Sequence, residues 1–207
     1  MVGRAETSKP GVRKARADEI AAVVRTLTDS FHDDPVQRFL FPGDAVYARR
    51  GRTTFDLVTR RVAEIGVVHV SEGIEGVALW LPPGADFVDG WRGALFGARN
   101  LIVLGRAVRR GLALFAQLSK HHPRAPHWYL PVLGTATAQQ GRGFGSALLA
   151  PTLARCDADD VPAYLESSKE RNLPFYRRHG FEVVGTIEIE NGPKLWPMLR
   201  TPRSRGG

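Results

Sequence analysis

The sequence predicts an α/β protein with a mixed central sheet, and three observations predict it. Short apolar runs of strand character alternate along the chain with longer stretches of helical period. The run "HWYLPVLGTA" feeds a glycine-rich turn, "QQGRGFGS", which opens into an apolar helical stretch and then a further strand pattern. That order implies a locally parallel crossover. Asn191-Gly192 joins the last two strand patterns as a tight hairpin, so antiparallel pairs share the same sheet.

Asp18 to Phe39 reads as a helix with Ile20, Val23, Val24 and Leu27 on one face, interrupted near Pro35. A second helical pattern spans Ala45 to Ile65 and is expected to carry its arginines on the exposed side. The period then changes: "VVHVSEGIEGVALWLPP" is two apolar runs around "EGIEG", a β-hairpin signal. Trp91 to Lys120 is one long helix or two broken pieces, with Leu101, Leu104, Val108, Leu112 and Phe115 on one stripe and Arg99, Arg106 and Arg110 on a water-facing side. His121 and His122, before Pro123, read as loop residues. A helix after the glycine turn runs to Ala154 or Cys156, with a bend expected at Pro151, and "VPAYLESS" is a short strand. "NLPFYRRHG" fits a short helix with Asn172 as N-cap, Pro174 in the first turn and Gly180 as its stop.

Composition narrows the class. The formal charge is +8, but Met1 to Arg16 holds an excess of four and Arg200, Arg203 and Arg205 add three more. The interior of the chain is nearly neutral, so the basic ends at 1–16 and 201–207 read as flexible, solvated tails around one domain at 17–200. A nucleic-acid protein would concentrate charge on a folded face among stacking aromatics, and no such arrangement is present. The single cysteine, Cys156, excludes an intrachain disulfide and a cysteine-based zinc cage, and favours a reducing, cytoplasmic setting. The most apolar stretch, Gly93 to Phe115, is broken by arginines, so no membrane span is expected.

The glycine turn carries the chemistry. A helix N-terminus presents unpaired N–H groups and the positive end of the helix dipole, and glycines let an anion approach the backbone closely. A strand feeding such a turn is a cradle for phosphate or pyrophosphate. A Walker loop is excluded because Gly145 is followed by Ser146-Ala147 instead of Lys-Ser/Thr. A dinucleotide fingerprint is excluded because no choice of first glycine completes G-x-G-x-x-G.

What the turn does match is Gln-x-x-Gly-x-Gly, at Gln140, Gly143 and Gly145. It resembles the acetyl-CoA pyrophosphate loop of the GNAT N-acetyltransferase superfamily. Downstream, "ERNLPFYRRHGFEVVG" resembles the superfamily's second signature, a tyrosine on a short helix that closes in Gly-Phe. The stretch from His127 to Arg200 looks most like puromycin N-acetyltransferase and its relatives, while residues 1–125 match only in general layout. The resemblance implies a GNAT acyl-CoA N-acyltransferase fold, with about six to seven strands flanked by helices.

It also implies roles. The amides of Gly141, Arg142, Gly143, Phe144, Gly145 and Ser146, with Gln140 beside them, would cradle the CoA pyrophosphate. Leu133, Gly134 and Thr135 would offer backbone to the pantetheine arm, as a sheet edge accepts an added strand. Asn172 resembles the family asparagine that touches the CoA arm, although an N-cap role is also sufficient for it. Tyr176 is the expected acid for the departing thiolate, since a phenol donates late and only to a strong base. Glu166 shares a strand face with Tyr164 and Ser168 and is the expected base for an incoming ammonium, directly or through water. His32-Asp33-Asp34 resembles the acidic bend that borders the acceptor site, and also reads as a helix terminator. Cys156 falls late in its helix, where the dipole raises a thiol pKa, so an acyl-cysteine route is not expected.

The expected activity is acetyl transfer from acetyl-CoA to a primary amine of a small molecule, an aminonucleoside antibiotic of the puromycin type being the leading acceptor. No metal, nucleic acid or membrane is expected to take part, and the protein is expected to be a monomer or homodimer. Acetylation of a protein N-terminus or lysine, and CoA sensing without turnover, remain the alternatives.

Overall fold

The computed structural model describes residues 10–203. Eight strands form a mixed sheet: β1 (Val12–Lys14), β2 (Val67–Ser71), β3 (Gly76–Leu81), β4 (Trp128–Thr135), β5 (Ala163–Ser167), β6 (Glu182–Val183), β7 (Ile187–Glu188) and β8 (Lys194–Arg200). Their order is β1-β2-β3-β4-β5-β8-β6, with β7 also paired to β8. All pairs are antiparallel except β4 with β5, the crossover that the glycine turn implies.

The helices are α1 (Ile20–Ser30), α2 (Pro35–Leu40), α3 (Asp44–Val46), α4 (Arg52–Ile65), α5 (Gly90–Leu104), α6 (Val108–His121), α7 (Phe144–Asp159) and α8 (Leu173–Arg178). A π turn at Tyr47–Gly51 joins α3 to α4 into the single helical stretch expected from Ala45. Strand alternation divides the core into two layers. Val77, Leu79 and Leu81 of β3 face Val24 and Leu27 of α1 and Phe55 and Val62 of α4. Ala78 and Trp80 face Leu148, Leu149 and Leu153 of α7. A strand buried on both sides cannot alternate apolar with polar, which is why "GVALWL" is continuously apolar.

Six expectations need correction. Of the expected basic tails, 1–9 and 204–207 lie outside the described residues, but Val12–Lys14 is an edge strand paired with His69–Ser71. Arg13 holds it there, donating from both terminal nitrogens to the Glu19 carboxylate at 2.8 Å, while Arg16 N–H donates to the same group. In α4 the arginines are not all exposed: Arg61 is buried and donates to the carbonyls of Phe87 and Asp89, tying down the loop before α5. The apolar stripe of α5 and α6 is not buried as a unit, because Gly105 (φ +50°) breaks the register between the two helices. Leu101, Leu112 and Phe115 are exposed, Ala107 and Leu114 point inward, and Arg110 is half-buried over the Phe39 ring. Helix α7 continues past Cys156 to Asp159 despite Pro151. His121 ends α6 and His122 caps it, so neither is free loop.

The hairpin between β7 and β8 forms, but its turn is centred on Glu190 and Asn191 rather than on Asn191-Gly192: Gly192 N–H donates to the Ile189 carbonyl at 2.8 Å, and Asn191 takes φ +53°. Among the described residues no helix is long and apolar enough to cross a membrane.

The Arg13 and Arg16 contacts hold the Glu19 carboxyl down at about 2 against an ordinary 4.5. A depressed carboxyl pKa stabilises the fold above the unfolded value and loses that contribution as pH falls toward the folded one. Glu19→Gln is therefore expected to lower the thermal midpoint at pH 7, and the gap to the wild type is expected to close as pH falls from about 4.5 to about 2. Melting curves across that range check it.

Candidate active site

The site begins where β4 and β5 part. They pair only at Trp128–Ala163 and Tyr129–Tyr164. Beyond those positions β4 continues through Leu130, Pro131 and Leu133 and β5 through Leu165 and Glu166, and these residues line the two walls of a cleft of ≈ 430 Å³. Pro131 has no N–H to give a ladder, which suits an edge that no strand of the protein covers. Gly134 and Thr135 extend the wall toward the glycine turn.

At the turn, Gly141 and Gly143 take φ of +78° and +87°, a region that favours glycine because a Cβ would crowd the following carbonyl. These two left-handed residues turn the chain from β4 into α7. The first hydrogen bond closing α7 is Ala147 N–H to the Gly143 carbonyl at 3.0 Å, so the amides of Phe144, Gly145 and Ser146 stand at the open end of a sixteen-residue helix. Gln140, Gly141, Gly143, Phe144, Gly145 and Ser146 all line the cleft. Arg142 does not: it is exposed and donates to Gln139 Oε1 at 2.5 Å. Asn172 lines the cleft, but its side chain makes no capping bond to α8, so its expected structural job is absent.

Glu166 and Tyr176 face the same cleft. Tyr176, on α8, is buried, and its phenol is pushed well up by burial first and then by the charge of Asp34. It makes no side-chain hydrogen bond to the described residues, so its hydroxyl is free for a ligand. Tyr129 donates to Glu166 Oε2 at 2.8 Å, a contact that fixes the position of that carboxylate oxygen.

Asp34 also lines the cleft. It caps α2, accepting from Val36 N–H at 3.0 Å and Gln37 N–H at 3.1 Å, and accepts from the Ser168 hydroxyl. Burial raises its pKa, the first of several opposing influences. The neighbouring Asp33 is spent elsewhere: Lys169 and Arg171 bind it and hold its pKa down, latching the loop after β5 onto the bend between α1 and α2. His32 is exposed and bonded to Arg38. Cys156 is buried in the layer under α7 and its thiol is pushed up to about 11 by burial, in keeping with its exclusion from the chemistry.

Sequence reasoning did not bring Tyr129 and the His122–His127 pair together beside Glu166. The parallel register brings Tyr129 beside Tyr164, with ring centroids 6.0 Å apart, and His122 meets both edge-on. The alternation of "HWY" with "AYLE" held a signal for Tyr129, but only once the two strands were known to be neighbours in register.

A sheet that splits between β4 and β5, beside a helix end left open after a left-handed glycine turn, is the architecture of the GNAT fold. The comparisons with known proteins agree. Residues 111–201 match the family model described as an acetyltransferase (GNAT) domain. The chain is 26% identical to an uncharacterized N-acetyltransferase of Schizosaccharomyces pombe, over 93% of this chain and 83% of that one. A solved structure from Corynebacterium glutamicum, named histone acetyltransferase HPA2 and related acetyltransferase, superposes with a TM-score of 0.74 at 28% identity, covering 97% of this chain and all of the other. Arylalkylamine N-acetyltransferase 2 of Aedes aegypti shares the fold, with a TM-score of 0.60 at 12% identity over 95% of this chain and 100% of that chain. The protein is an acetyl-CoA-dependent acyltransferase.

Gly143→Ala would force a Cβ into the left-handed region with no steric neighbour to blame, at a cost of about 1–2 kcal/mol. It is expected to lower the thermal midpoint and to weaken CoA binding by distorting the turn, read by calorimetric titration. Unchanged CoA affinity would detach the turn from the coenzyme.

Proposed function

We propose that the protein acetylates the primary amine of a small molecule, with an aminonucleoside of the puromycin type as the first acceptor to test. The observation that carries this reading is the placing of Glu166 and Tyr176 in one cleft whose other end is the open N-terminus of α7. The positive helix end suits a diphosphate, and the uncovered edge of β4 suits an extended amide-bearing arm such as pantetheine. At the acceptor end Asp34 and Glu166 supply negative charge for an ammonium.

An ammonium sheds two protons on becoming an amide. Glu166 takes the first, which frees the nitrogen lone pair to attack the thioester carbonyl carbon. As the carbon–sulfur bond breaks, Tyr176 gives its proton to the departing thiolate and recovers one from the new amide nitrogen. One proton therefore ends on CoA and one leaves by way of Glu166. Burial of Tyr176 keeps the phenol protonated until a strong base forms beside it.

A lysine side chain is also a primary amine, and the name carried by the Corynebacterium glutamicum relative keeps protein acetylation as the second reading. Thiol release from acetyl-CoA with puromycin, phenethylamine, spermidine and a lysine-containing peptide separates the two. Turnover of small amines over the peptide is expected, and the reverse would overturn the small-molecule reading. Tyr176→Phe is expected to lower kcat by about 10²–10⁴-fold with CoA affinity kept within about twofold. An unchanged kcat would remove Tyr176 as the acid.

A further inference from the structure

We propose that His122 is the proton outlet of this site, accepting from Glu166 the proton taken off the ammonium and passing it to solvent, with His127 fixing its tautomer. The proposal deepens the amine-acetyltransferase reading and rests on it.

Glu166 has a disposal problem. Its side chain is only 5% exposed, and a carboxylate that gains a proton at every turnover must lose it while substrates fill the cleft. Oε2 is occupied by the Tyr129 hydroxyl, whereas Oε1 is buried with no hydrogen-bond partner among the described residues. Such an orphan costs stability, and its retention calls for an explanation. The base facing it is His122 Nδ1, 3.8 Å away. Hydrogen bonds of this kind are often long before substrate arrives and tighten in the working complex.

The tautomers follow from donor and acceptor identity. His127 Nδ1 lies 2.8 Å from the Ala125 carbonyl, which only accepts, so His127 carries its proton on Nδ1. Its Nε2 is then a lone pair, and it lies 3.1 Å from His122 Nε2. His122 must donate there, so the neutral ring has its proton on Nε2 and a bare Nδ1 aimed at Glu166. Burial of His127 disfavours its charged form, which keeps that lone pair in place. The side chain of His122 is 35% exposed, against 5% for Glu166, so the Nδ1 proton it collects is nearer to water on His122 than on the carboxyl.

The titratable groups packed around His122 are His127, Tyr129, Tyr164 and Glu166. Burial and the Glu166 charge drive both phenols up, so they remain protonated and do not compete for the proton. Among the described residues no group of three or more His, Cys, Asp or Glu side chains is placed to hold a metal ion, so the cluster is not read as a ligand set. The transfer balances: the Glu166 carboxylic O–H breaks, a bond forms to His122 Nδ1, and the resulting imidazolium releases one proton to water.

Two measurements on the full chain test it. Nitrogen-15 NMR of histidine-labelled protein at pH 8 is expected to show His122 as the Nε2–H tautomer and His127 as the Nδ1–H tautomer. A proton on Nδ1 of neutral His122 would overturn the relay. With whichever of the four panel amines turns over fastest, His122→Ala and His122→Gln are each expected to lower kcat about tenfold at pH 7 with KM nearly unchanged. The deficit is expected to narrow toward pH ~10, where the amine arrives unprotonated, and added imidazole is expected to restore part of the His122→Ala rate. Equal rates for variant and wild type, or a deficit constant at every pH, would overturn the relay while leaving amine acetylation intact. Wild-type protein that turns over none of the four amines would overturn the parent reading, and the relay with it.

Discussion

The separation of β4 from β5 after two paired positions is the constraint from which the rest of the site follows. Parallel neighbours normally keep their ladder, because unpaired backbone N–H and C=O groups are costly away from water. Here the ladder stops, and the freed edge of β4 leads within a few residues to the glycine turn and the open end of α7. Backbone groups that no strand satisfies and amides that no helix satisfies thus face one cleft. The sheet stays intact elsewhere because β5 is held on its far side by five antiparallel positions with β8, from Ala163–Arg200 to Ser167–Trp196.

The cleft is electrically graded. One end offers the positive terminus of α7, and the other offers two largely buried carboxylates, Glu166 and Asp34. Each carboxylate is held by hydroxyl or amide donors rather than by a direct lysine or arginine contact. Two of the cations that line the cleft, Lys169 and Arg171, are drawn aside by Asp33. That ion pair spans more than 130 residues of chain and fastens the loop after β5 to the α1–α2 bend, so the two are fixed relative to each other.

What could be read from the sequence was whatever depends on neighbours along the chain. The strand, glycine turn and helix around Gly143 are a local device, and the residues from Gln140 to Ser146, Arg142 excepted, line the cleft. The period-two run "AYLES" correctly put Glu166 on the face opposite Leu165. Contacts across the chain were not legible. His122 and His127 become a pair only because α6 ends where β4 begins, and their meeting with Glu166 needs the β4–β5 register. β1 was hidden for a related reason: a three-residue edge strand carries too little pattern, and its basic residues read as a tail until Glu19 supplies their partner. The stripe across α5 and α6 misled because a single positive-φ glycine shifts the helical phase, and the sequence does not announce which glycine will do so.

The central claim is that the amides between Gly141 and Ser146 hold the diphosphate of the coenzyme and so aim its thioester at Tyr176. A crystal structure of the protein with acetyl-CoA measures this directly. The account predicts phosphate oxygens within hydrogen-bonding distance of those amides, the pantetheine arm along β4, and the sulfur beside the Tyr176 hydroxyl. A diphosphate bound away from the turn, or a phenol facing away from the sulfur, would contradict it.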